Sequence, residues 1–466
     1  MALSLPHQTM RNSHEKKHIA VFVFPFGSHP ISLLNLVFKL AHASPNLQFS
    51  FIGTQHSNKP LLSKPDIPDN VKFYTISDGV PEGHVPGSHP VERVNLFLQA
   101  GPNNLQKGID LAVADTKERV TCIIADAFVT FSLTVAQNLN VPWVLVWLPL
   151  SCSLSAHFYT DTIRQKCGPN TAKDTPLDFI PGFSKMQVQD LPEEVIKSGT
   201  EEETLFSKTL ASLGSVLPQS EAVVVNFFEE LDPPSLVHDM RSKLKCFLYV
   251  GFILTLSLPL PPLPPSDTDE TGCLTWLDKQ KKRSSVAYVS FGTVVTPPPH
   301  EVVAVAEALE ASGFPFLWSL KEHLKGLLPK GFLERTKEHG KVVSWAPQTQ
   351  VLGHGSVGVF VTHCGSNSVF ESMCNGVPMI CRPFFGDHGL SGRIVEDVWE
   401  IGVRVKGGVF TKEGLVKCLR MVLVEEEGKR MRENAVKVNR VVVDAVGPQG
   451  RAAQDFKTLV DLVSKS

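Results

Sequence analysis

Residues 357–375 read VGVFVTHCGSNSVFESMCN, and this stretch shows most clearly what kind of fold to expect. The run Val357–Thr362 is apolar and uncharged, which is typical of a strand buried in a parallel sheet. Gly365 then permits a tight turn, and the residues that follow it begin a helix. The order of strand, turn and helix is typical of a βαβ unit.

The same alternation of strand and helix extends over both halves of the chain. The predicted strands are His18–Phe24, Gln48–Thr54, Val71–Ile76, Thr121–Asp126 and Trp143–Leu148 in the first half, and Val286–Phe291, Pro315–Ser319, Lys341–Ser344, Val357–Thr362 and Val377–Cys381 in the second. Helical patterns such as Ile31–His42 and His300–Ala311 lie between them. We therefore predict an α/β fold of two doubly wound, Rossmann-like domains, with ligands in the central cleft between them.

The length of 466 residues also favours two domains over one. The uncharged run from Cys246 to Pro265 is as long as a membrane-spanning helix, but its many prolines favour a strand that leads into an extended spacer. We predict an N-terminal domain at 1–250, a proline-rich linker at 251–270 and a C-terminal domain at 271–450. A final amphipathic helix at 451–466 is expected to pack back on the first domain. Residues 141–156, also uncharged, are interpreted as a buried strand and loop.

Composition excludes several classes of protein. The net charge of −2 provides no basic face for nucleic acid, and the 42% hydrophobic content argues against disorder. The nine cysteines are an odd number without a CxxC pair, which indicates reduced thiols and no zinc site. The N-terminus has no apolar signal segment. We expect a cytoplasmic protein without a membrane span.

The polar cluster after Val357–Thr362 has the chemistry of a phosphate site. Ser366, Asn367 and Ser368 would lie at a helix N-terminus, where backbone N–H groups and the helix dipole favour an anion. His363 adds an imidazole donor, and Glu371 lies one turn further, where it can accept hydrogen bonds from a ribose. Ordinary helix capping by Ser and Asn is the alternative.

The first half supplies a candidate base. His29 follows the first strand at its C-terminal mouth, with Ser28 as an expected N-cap and Pro30 in the first helical turn. Asp126 ends another strand and can accept the second ring N–H of His29, which would fix its tautomer. A structural histidine and a capping aspartate are the alternatives.

Residues 345–388 resemble the signature box of plant UDP-dependent glycosyltransferases of the GT-B fold. The matching positions are Trp345, Gln348, His363, Gly365, Asn367, Ser368, Glu371, Pro378, Pro383 and Asp387. The similarity extends over essentially the whole chain and is greatest to flavonoid 3-O-glycosyltransferases. It rests on the segments DGVPEG (78–83), SFGT (290–293) with TPPP (296–299), and RPFFGD (382–387).

The resemblance implies that the N-terminal domain binds the acceptor and that the C-terminal domain binds the UDP-sugar, and it implies roles for single residues. Trp345 would stack on uracil, Glu371 would bind the ribose hydroxyls, and Asp387 with His388 would contact the sugar hydroxyls. The donor-binding set is Thr293, Trp345, Ala346, Gln348, His363, Ser366, Asn367, Ser368, Glu371, Asp387 and His388. His29 would be the general base and Asp126 its partner, in an inverting transfer that needs neither a cofactor nor a metal. Similar enzymes are usually monomeric.

Acceptor contacts are predicted from the abundant phenylalanines, 28 against 4 tyrosines. Phe128 follows Asp126 and Phe385 precedes Gly386, so both lie beside the expected cleft and can sandwich planar rings. Phe206 is placed in the same acceptor group, and His157 is added by similarity to the family. The expected acceptor is a flavonol or an anthocyanidin.

Three positions depart from the family pattern, and all lie on the sugar side. Position 388 is His where glucose-using enzymes usually have Gln, and among similar enzymes this His accompanies galactose. Ser366 replaces a common Trp, and Leu148 replaces a common Thr. We therefore predict a UDP-galactose-dependent flavonoid 3-O-galactosyltransferase, with a UDP-glucose-dependent enzyme as the alternative.

Two other classes of function are alternatives, an NAD-dependent oxidoreductase and a protein that binds nucleotide sugars without catalysis. Residues 353–358 read GHGSVG and match the GxGxxG fingerprint of NAD-dependent oxidoreductases. That fingerprint needs a strand before it and a helix after it, and the opposite order is predicted here. A nucleotide-sugar-binding protein without catalysis is disfavoured because both His29 and Asp126 are present.

Overall fold

The structure is a computed structural model, and it describes residues 17–62, 67–87, 90–168, 170–196, 203–251, 253, 269 and 271–465. Its strands are β1 (Lys17–Phe22), β2 (Leu47–Thr54), β3 (Val71–Ile76), β4 (Val120–Asp126), β5 (Trp143–Trp147), β6 (Ala222–Val225), β7 (Phe247–Tyr249), β8 (Val286–Ser290), β9 (Phe316–Ser319), β10 (Gly340–Val343), β11 (Val357–Thr362), β12 (Met379–Cys381) and β13 (Gly402–Arg404).

The helices surround these strands. They are α1 (His29–Ala43), α2 (Gln55–Leu62), α3 (Pro90–Thr116), α4 (Ser132–Leu139), α5 (Ser151–Phe158), α6 (Thr160–Lys166), α7 (Leu205–Ala211), α8 (Leu213–Val216), α9 (Pro234–Lys243), α10 (Cys273–Asp278), α11 (Pro299–Ser312), α12 (Phe332–Thr336), α13 (Gln348–Leu352), α14 (Ser366–Cys374), α15 (His388–Arg393), α16 (Lys412–Val424), α17 (Glu426–Val446) and α18 (Arg451–Lys465).

The first seven strands form one parallel sheet in the order β3-β2-β1-β4-β5-β6-β7. The strand order reverses between β1 and β4, where Phe22 pairs with Ala125. In doubly wound sheets the connections diverge at such a point and leave a crevice at the carboxyl ends of the strands. His29 follows β1 and Asp126 ends β4, so both lie at this crevice.

The other six strands form a second parallel sheet in the order β10-β9-β8-β11-β12-β13. Here the order reverses between β8 and β11, where Thr362 pairs with Ser290. Gly292 and His363 follow these two strands at the same edge. The predicted α/β fold with two doubly wound sheets is confirmed.

Some local predictions were wrong or incomplete. Strands β6 and β13 were not predicted, because runs of four and three residues carry too little pattern to be recognised. Residues 151–156, interpreted as part of a loop, belong to helix α5, which is buried on nearly all sides and therefore lacks an amphipathic pattern.

Helix α18 packs on the first sheet, although it follows the second sheet in the chain. Its residues Phe456, Leu459 and Val463 are buried among apolar residues of the first half. The Asp455 carboxylate accepts a hydrogen bond from the backbone N–H of Tyr249 at 2.9 Å. The return of the chain to the first sheet therefore ties the two halves together at the side of β7.

The predicted linker, residues 251–270, lies outside the described residues except for Gly251, Ile253 and Asp269. The domain boundaries therefore stay predictions. Within the part of the chain that the structure describes, no helix is both long and apolar enough to cross a membrane. Six of the nine cysteines are buried, as expected of small apolar side chains.

Candidate active site

The carboxyl ends of both sheets border one cavity of about 510 Å³. The first half contributes Gly27, Ser28, His29, Leu148 and Pro149 to its wall, and the second half contributes Tyr288, Ser290, Gly292, Thr293, Val294, Val295, Ser319, Lys321, Ser344, Trp345, Ala346, Gln348, His363, Gly365, Ser366, Asn367, Ser368, Phe385, Asp387 and His388. Most of the predicted donor-binding residues thus lie around a single cavity between the two halves, together with the predicted base.

His29 and Asp126 form a close pair in the first half. The Nδ1 atom of His29 lies 2.6 Å from Oδ2 of Asp126, whose side chain is only 1% exposed. The other oxygen of Asp126 accepts the backbone N–H of Phe128 at 3.0 Å. Because the carboxylate accepts from Nδ1–H, the lone pair of His29 is on Nε2. This arrangement can remove a proton from a hydroxyl group in the cleft.

Ser28 has a different role from the one predicted. It occupies the N-cap position of α1, but its side chain makes no capping hydrogen bond there. Its backbone angles, φ −93° and ψ 1°, depart from the extended conformation of most N-caps. Ser28 lines the cavity instead.

The N-terminus of α14 points into the cavity without a side-chain cap. Gly365 occupies the cap position, so the alternative of ordinary capping by Ser or Asn does not apply. Ser366 donates its hydroxyl to Asp387 at 2.8 Å, and Asn367 donates its amide to the Ser32 hydroxyl at 3.5 Å. Ser32 belongs to α1, so the first turns of α1 and α14 meet across the cleft. The first N–H groups of α14 lie where an anion can use them.

His363 is half-buried in a narrow slot beside this helix. A Cβ atom on Gly292 would lie 2.8 Å from Cε1 of His363, and one on Gly365 would also overlap the ring. Burial, with smaller contributions from His388 and Lys321, lowers the pKa of His363 to about 3. Its ring is therefore neutral near pH 7 and can serve as a hydrogen-bond donor to a phosphate, with no positive charge.

Glu371 lies further along α14 and contacts Gln348. One Glu371 oxygen accepts the Gln348 amide at 2.8 Å, and the same amide also donates to the Ser368 hydroxyl at 3.0 Å. Burial raises the pKa of Glu371 to about 7, and hydrogen bonds from Gln348 and Thr349 oppose the rise. Glu371 is not among the residues that line the cavity, whereas Trp345 lines it and is 61% exposed.

Asp387 and His388 lie at the start of α15, next to α14, and the ring centroids of His388 and His363 are 5.0 Å apart. The His388 ring is buried, and burial followed by the charge of Arg382 lowers its pKa to about 4. The backbone N–H of Phe385 points to Nδ1 of His388 at 3.5 Å, which places the ring proton on Nε2. Burial raises the pKa of Asp387, and the Ser366 hydrogen bond and the charge of His29 oppose this rise.

The predicted acceptor residues occupy two separate places. Phe128 packs against His29 with ring centroids 4.7 Å apart, and Phe206 packs on Phe128 at 5.8 Å. His157 is buried behind Trp147, and burial lowers its pKa to about 3. None of these three lines the cavity, whereas Phe385 lines it beside His388, with ring centroids 4.7 Å apart, and is 49% exposed.

Lys321 lines the cavity and was not predicted. It donates its ammonium group to the carbonyl oxygen of Val295 at 2.8 Å, and burial lowers its pKa. Its position two residues after β9, at the carboxyl edge of the sheet, is the signal that would have identified it.

The GxGxxG match proves to be a turn between helix α13 and strand β11, the reverse of the order that a dinucleotide site needs. Its last glycine, Gly358, packs against the backbone of Ser284, where a Cβ atom would overlap the carbonyl oxygen. Among the described residues, no group of three or more His, Cys, Asp and Glu side chains is placed to hold a metal ion.

Comparisons with known proteins agree with this geometry. Residues 103–452 match the family model described as UDP-glucoronosyl and UDP-glucosyl transferase. An anthocyanidin 3-O-glucosyltransferase from Vitis vinifera is 48% identical over 98% of this chain and 99% of its own length. An anthocyanidin 3-O-galactosyltransferase from Rhododendron delavayi is 47% identical over 97% of this chain and 99% of its own length.

Solved structures are similar as well. The crystal structure of a UDP-glucose:anthocyanidin 3-O-glucosyltransferase in complex with UDP is 62% identical, with a TM-score of 0.93 over 97% of this chain and 99% of the other. Phytolacca americana UGT2, at 24% identity and a TM-score of 0.82 over 96% of this chain and all of the other, shows the fold alone. The two sheets, the cavity between them and these matches show that the chain belongs to the UDP-glucoronosyl and UDP-glucosyl transferase family and has its GT-B fold.

Proposed function

We propose that this protein transfers galactose from UDP-galactose to the 3-hydroxyl group of a flavonol or anthocyanidin, with inversion at the anomeric carbon. The main observation for the proposal is that His29, which pairs with Asp126, lines the same cavity as Asp387 and His388 of the other half. The similar proteins named as anthocyanidin 3-O-glycosyltransferases support the acceptor class.

His29 is the proposed general base. Its Nε2 atom takes the proton of the acceptor hydroxyl as the oxygen attacks the anomeric carbon from the face opposite UDP. Asp126, which accepts from Nδ1–H, stabilises the imidazolium that forms. A phenolic or enolic hydroxyl of a flavonoid is more acidic than an alkanol, so an imidazole base suffices.

The leaving diphosphate needs stabilisation at the other side of the cavity. The proposed donors are the N-terminus of α14, with Asn367 and Ser368, the imidazole of His363, and Thr293. These donors are in place before the reaction, so little reorganisation is needed when the charge develops. We propose that the reaction needs no metal, so rates should be the same in EDTA and in magnesium.

Uridine recognition completes the proposed donor site. Trp345 would stack on uracil at the mouth, beside Ala346, and Glu371 would accept the ribose hydroxyls together with Gln348. Glu371 does not line the cavity and its carboxylate accepts from Gln348, so we propose that one of these two side chains turns toward the ribose when the donor binds.

The sugar choice is proposed to depend on His388. Its ring is neutral and its proton is on Nε2, so toward the sugar it offers one donor and no acceptor. Glutamine offers a donor and an acceptor together. Since galactose and glucose differ only in the direction of the C4 hydroxyl, a change from two contacts to one at this residue can alter the preference.

We expect His388→Gln to shift the ratio of kcat/KM for UDP-galactose over UDP-glucose about tenfold toward glucose, because one hydrogen bond is worth roughly 1 kcal/mol. The ratio is measured with both donors and one acceptor. Phe314→Leu, a change remote from the cavity, serves as the control. An unchanged ratio in His388→Gln would show that this residue does not select the sugar.

The raised pKa of Glu371 predicts that binding of the donor depends on pH. The carboxylate accepts hydrogen bonds only when it is ionised, and its pKa of about 7 means that it becomes protonated as the pH falls through neutrality. Affinity for UDP-glucose should therefore weaken about tenfold from pH 8 to pH 6, the shift expected for one group titrating near pH 7. Calorimetry on the wild type and Glu371→Gln gives the test. Equal pH slopes in the two proteins would contradict it.

The assay that tests the proposed function uses quercetin with UDP-galactose and with UDP-glucose in separate reactions. Chromatography against 3-O-galactoside and 3-O-glucoside standards identifies the products. A predominant 3-O-galactoside supports the proposal, a predominant 3-O-glucoside supports the alternative of a flavonoid 3-O-glucosyltransferase, and products at other hydroxyls refute the regiochemistry. Binding of UDP without turnover of any flavonol or anthocyanidin would indicate a protein that binds nucleotide sugars without catalysis. Cytoplasmic location and a monomeric state stay predictions.

A further inference from the structure

A short turn of the first half contacts the second half beside the donor-sugar residues. The turn, Gln187–Asp190, ends in an aspartate whose side chain is only 1% exposed. One Asp190 oxygen accepts the backbone N–H of Gln187 at 2.8 Å and thereby closes the turn. The other hydrogen-bond partners of this carboxylate belong to the second half of the chain.

Two arginines of the second half hold the Asp190 carboxylate. Arg393, the last residue of α15, donates to both oxygens at 2.8 and 3.3 Å, and Arg404, the last residue of β13, donates to Oδ1 at 2.8 Å. Bidentate pairing of this kind fixes orientation as well as distance. The carboxylate therefore sets the position of the turn relative to both α15 and β13.

The arginines are themselves held on their far sides. Arg393 pairs with Asp397 at 2.7 Å and donates to the side chain of Gln187, and Arg404 pairs with Glu396 at 2.7 Å. These five charged groups thus form one network, in which Asp190 is the charged group that the first half contributes. Removing that charge would leave two arginines without their shared partner.

The backbone of the turn also lies directly against α15. A Cβ atom on Gly389 would lie 2.6 Å from the carbonyl oxygen of Asp190. Gly389 follows His388, and Asp387 precedes it by two positions. The end of α15 that carries the proposed sugar contacts is therefore in van der Waals contact with the first half.

We infer that Asp190 is a positioning residue for sugar transfer. Through Arg393, Arg404 and the contact at Gly389, it holds the start of α15 at a set distance from the sheet that carries His29 and Asp126. The inference rests on the proposed roles of His29 and of the Asp387–His388 pair. It goes further by identifying what aligns these two groups, which belong to different halves of the chain.

The physical reason is the sensitivity of transfer to alignment. The acceptor oxygen must lie about 3–3.5 Å from the anomeric carbon, and an error of about 1 Å can cost a hundredfold in rate. The uridine and diphosphate contacts, in contrast, come from residues of the second half alone. Loss of Asp190 should therefore lower the rate of transfer and leave UDP binding intact.

The test is Asp190→Asn, which preserves volume and removes the charge. We expect kcat to fall about ten- to a hundredfold, with Kd for UDP within about twofold of wild type. We also expect more UDP to be released per molecule of glycoside formed, because a misaligned acceptor lets water compete for the anomeric carbon. Calorimetry, product chromatography and an assay of released UDP give these three values.

Two further variants separate positioning from stability. Glu229→Gln removes a carboxylate that pairs with Arg241 and, at 3.2 Å, with Arg451 of α18, so it also breaks the contacts of one carboxylate with two arginines, and none of the three residues lines the cavity. It should retain wild-type coupling of UDP release to product. Arg404→Gln keeps the Asp190–Arg393 pair and should show the Asp190→Asn phenotype in weaker form, which provides a measurement if Asp190→Asn does not fold.

The outcomes are distinct. A lower Tm with unchanged kcat and coupling in Asp190→Asn would overturn the inference, because it would make the network merely structural. The inference would also be overturned if Glu229→Gln released as much UDP per molecule of glycoside as Asp190→Asn does. Failure of the proposed function would be seen in the wild type itself, as absence of turnover, and so is not confused with a failure of this inference.

Discussion

Replacing His29 with alanine should lower kcat for glycoside formation by about 10³-fold, within the range of 10²–10⁴ that general-base catalysis contributes. The variant keeps the N-terminus of α14, the slot of His363 and the exposed Trp345, so Kd for UDP should stay within about twofold of wild type. Calorimetry gives the affinity, and product chromatography under saturating donor and acceptor gives kcat.

The partner variant Asp126→Asn tests the reason for the effect. Asparagine can donate an N–H toward Nδ1 of His29, which favours the tautomer with the proton on Nε2 and removes the lone pair that the base needs. We expect a loss of similar size to that of His29→Ala, and little further loss in the double variant, since the two residues act as one unit. Wild-type turnover in either single variant would remove the pair from the mechanism.

Replacing Gly292 with alanine should weaken UDP binding about ten- to a hundredfold. The new Cβ atom would lie 2.8 Å from the ring of His363, so the ring must leave the slot that it occupies beside the N-terminus of α14. A hydrogen bond to a charged group is worth about 1.5–3 kcal/mol, which corresponds to that range of affinity. Calorimetric titration with UDP measures the loss.

A matched control separates the ring contact from backbone strain. Gly292 has φ +68°, a conformation that disfavours any residue with a Cβ atom. Gly313, at the C-terminus of α11, has φ +66° and no atom within 4 Å of an added Cβ. Gly313→Ala should therefore lower Tm without changing UDP affinity. Two results would count against the role of His363. One is an equal loss of UDP affinity in Gly292→Ala and Gly313→Ala, and the other is wild-type UDP affinity in His363→Ala.

The repeating pattern was enough to predict both sheets, because buried parallel strands are continuous apolar runs and crossover helices are amphipathic. The run at Val71–Ile76 was predicted to the residue. Short strands were not recognised. Ala222–Val225 has only four residues, and its position depends on its pairing with β5, which the local sequence does not show. A helix buried on all sides, such as Ser151–Phe158, lacks the periodicity on which prediction depends.

The residues of the site also include some that the sequence predicts and some that it does not. The start of α14 and the His29–Asp126 pair could be located from sequence, because each follows a recognisable strand and parallel strands place such residues at one edge of a sheet. Lys321 carries the same signal and was overlooked. The Asp190 network carries no local signal, because its aspartate and its arginines are far apart in the chain.

Sequence alone determined the fold class, the family and the residues at each strand end, because these depend on local pattern and on fixed spacing within one segment. The tertiary structure decided which of those residues meet. It alone shows that Asn367 contacts Ser32 across the cleft, that His363 lies between two glycines, and that Phe128, His157 and Phe206 lie outside the cavity wall. Burial decides the ionisation of Glu371 and His388 for the same reason: desolvation depends on what packs around a group in space, and neighbours along the chain do not reveal it.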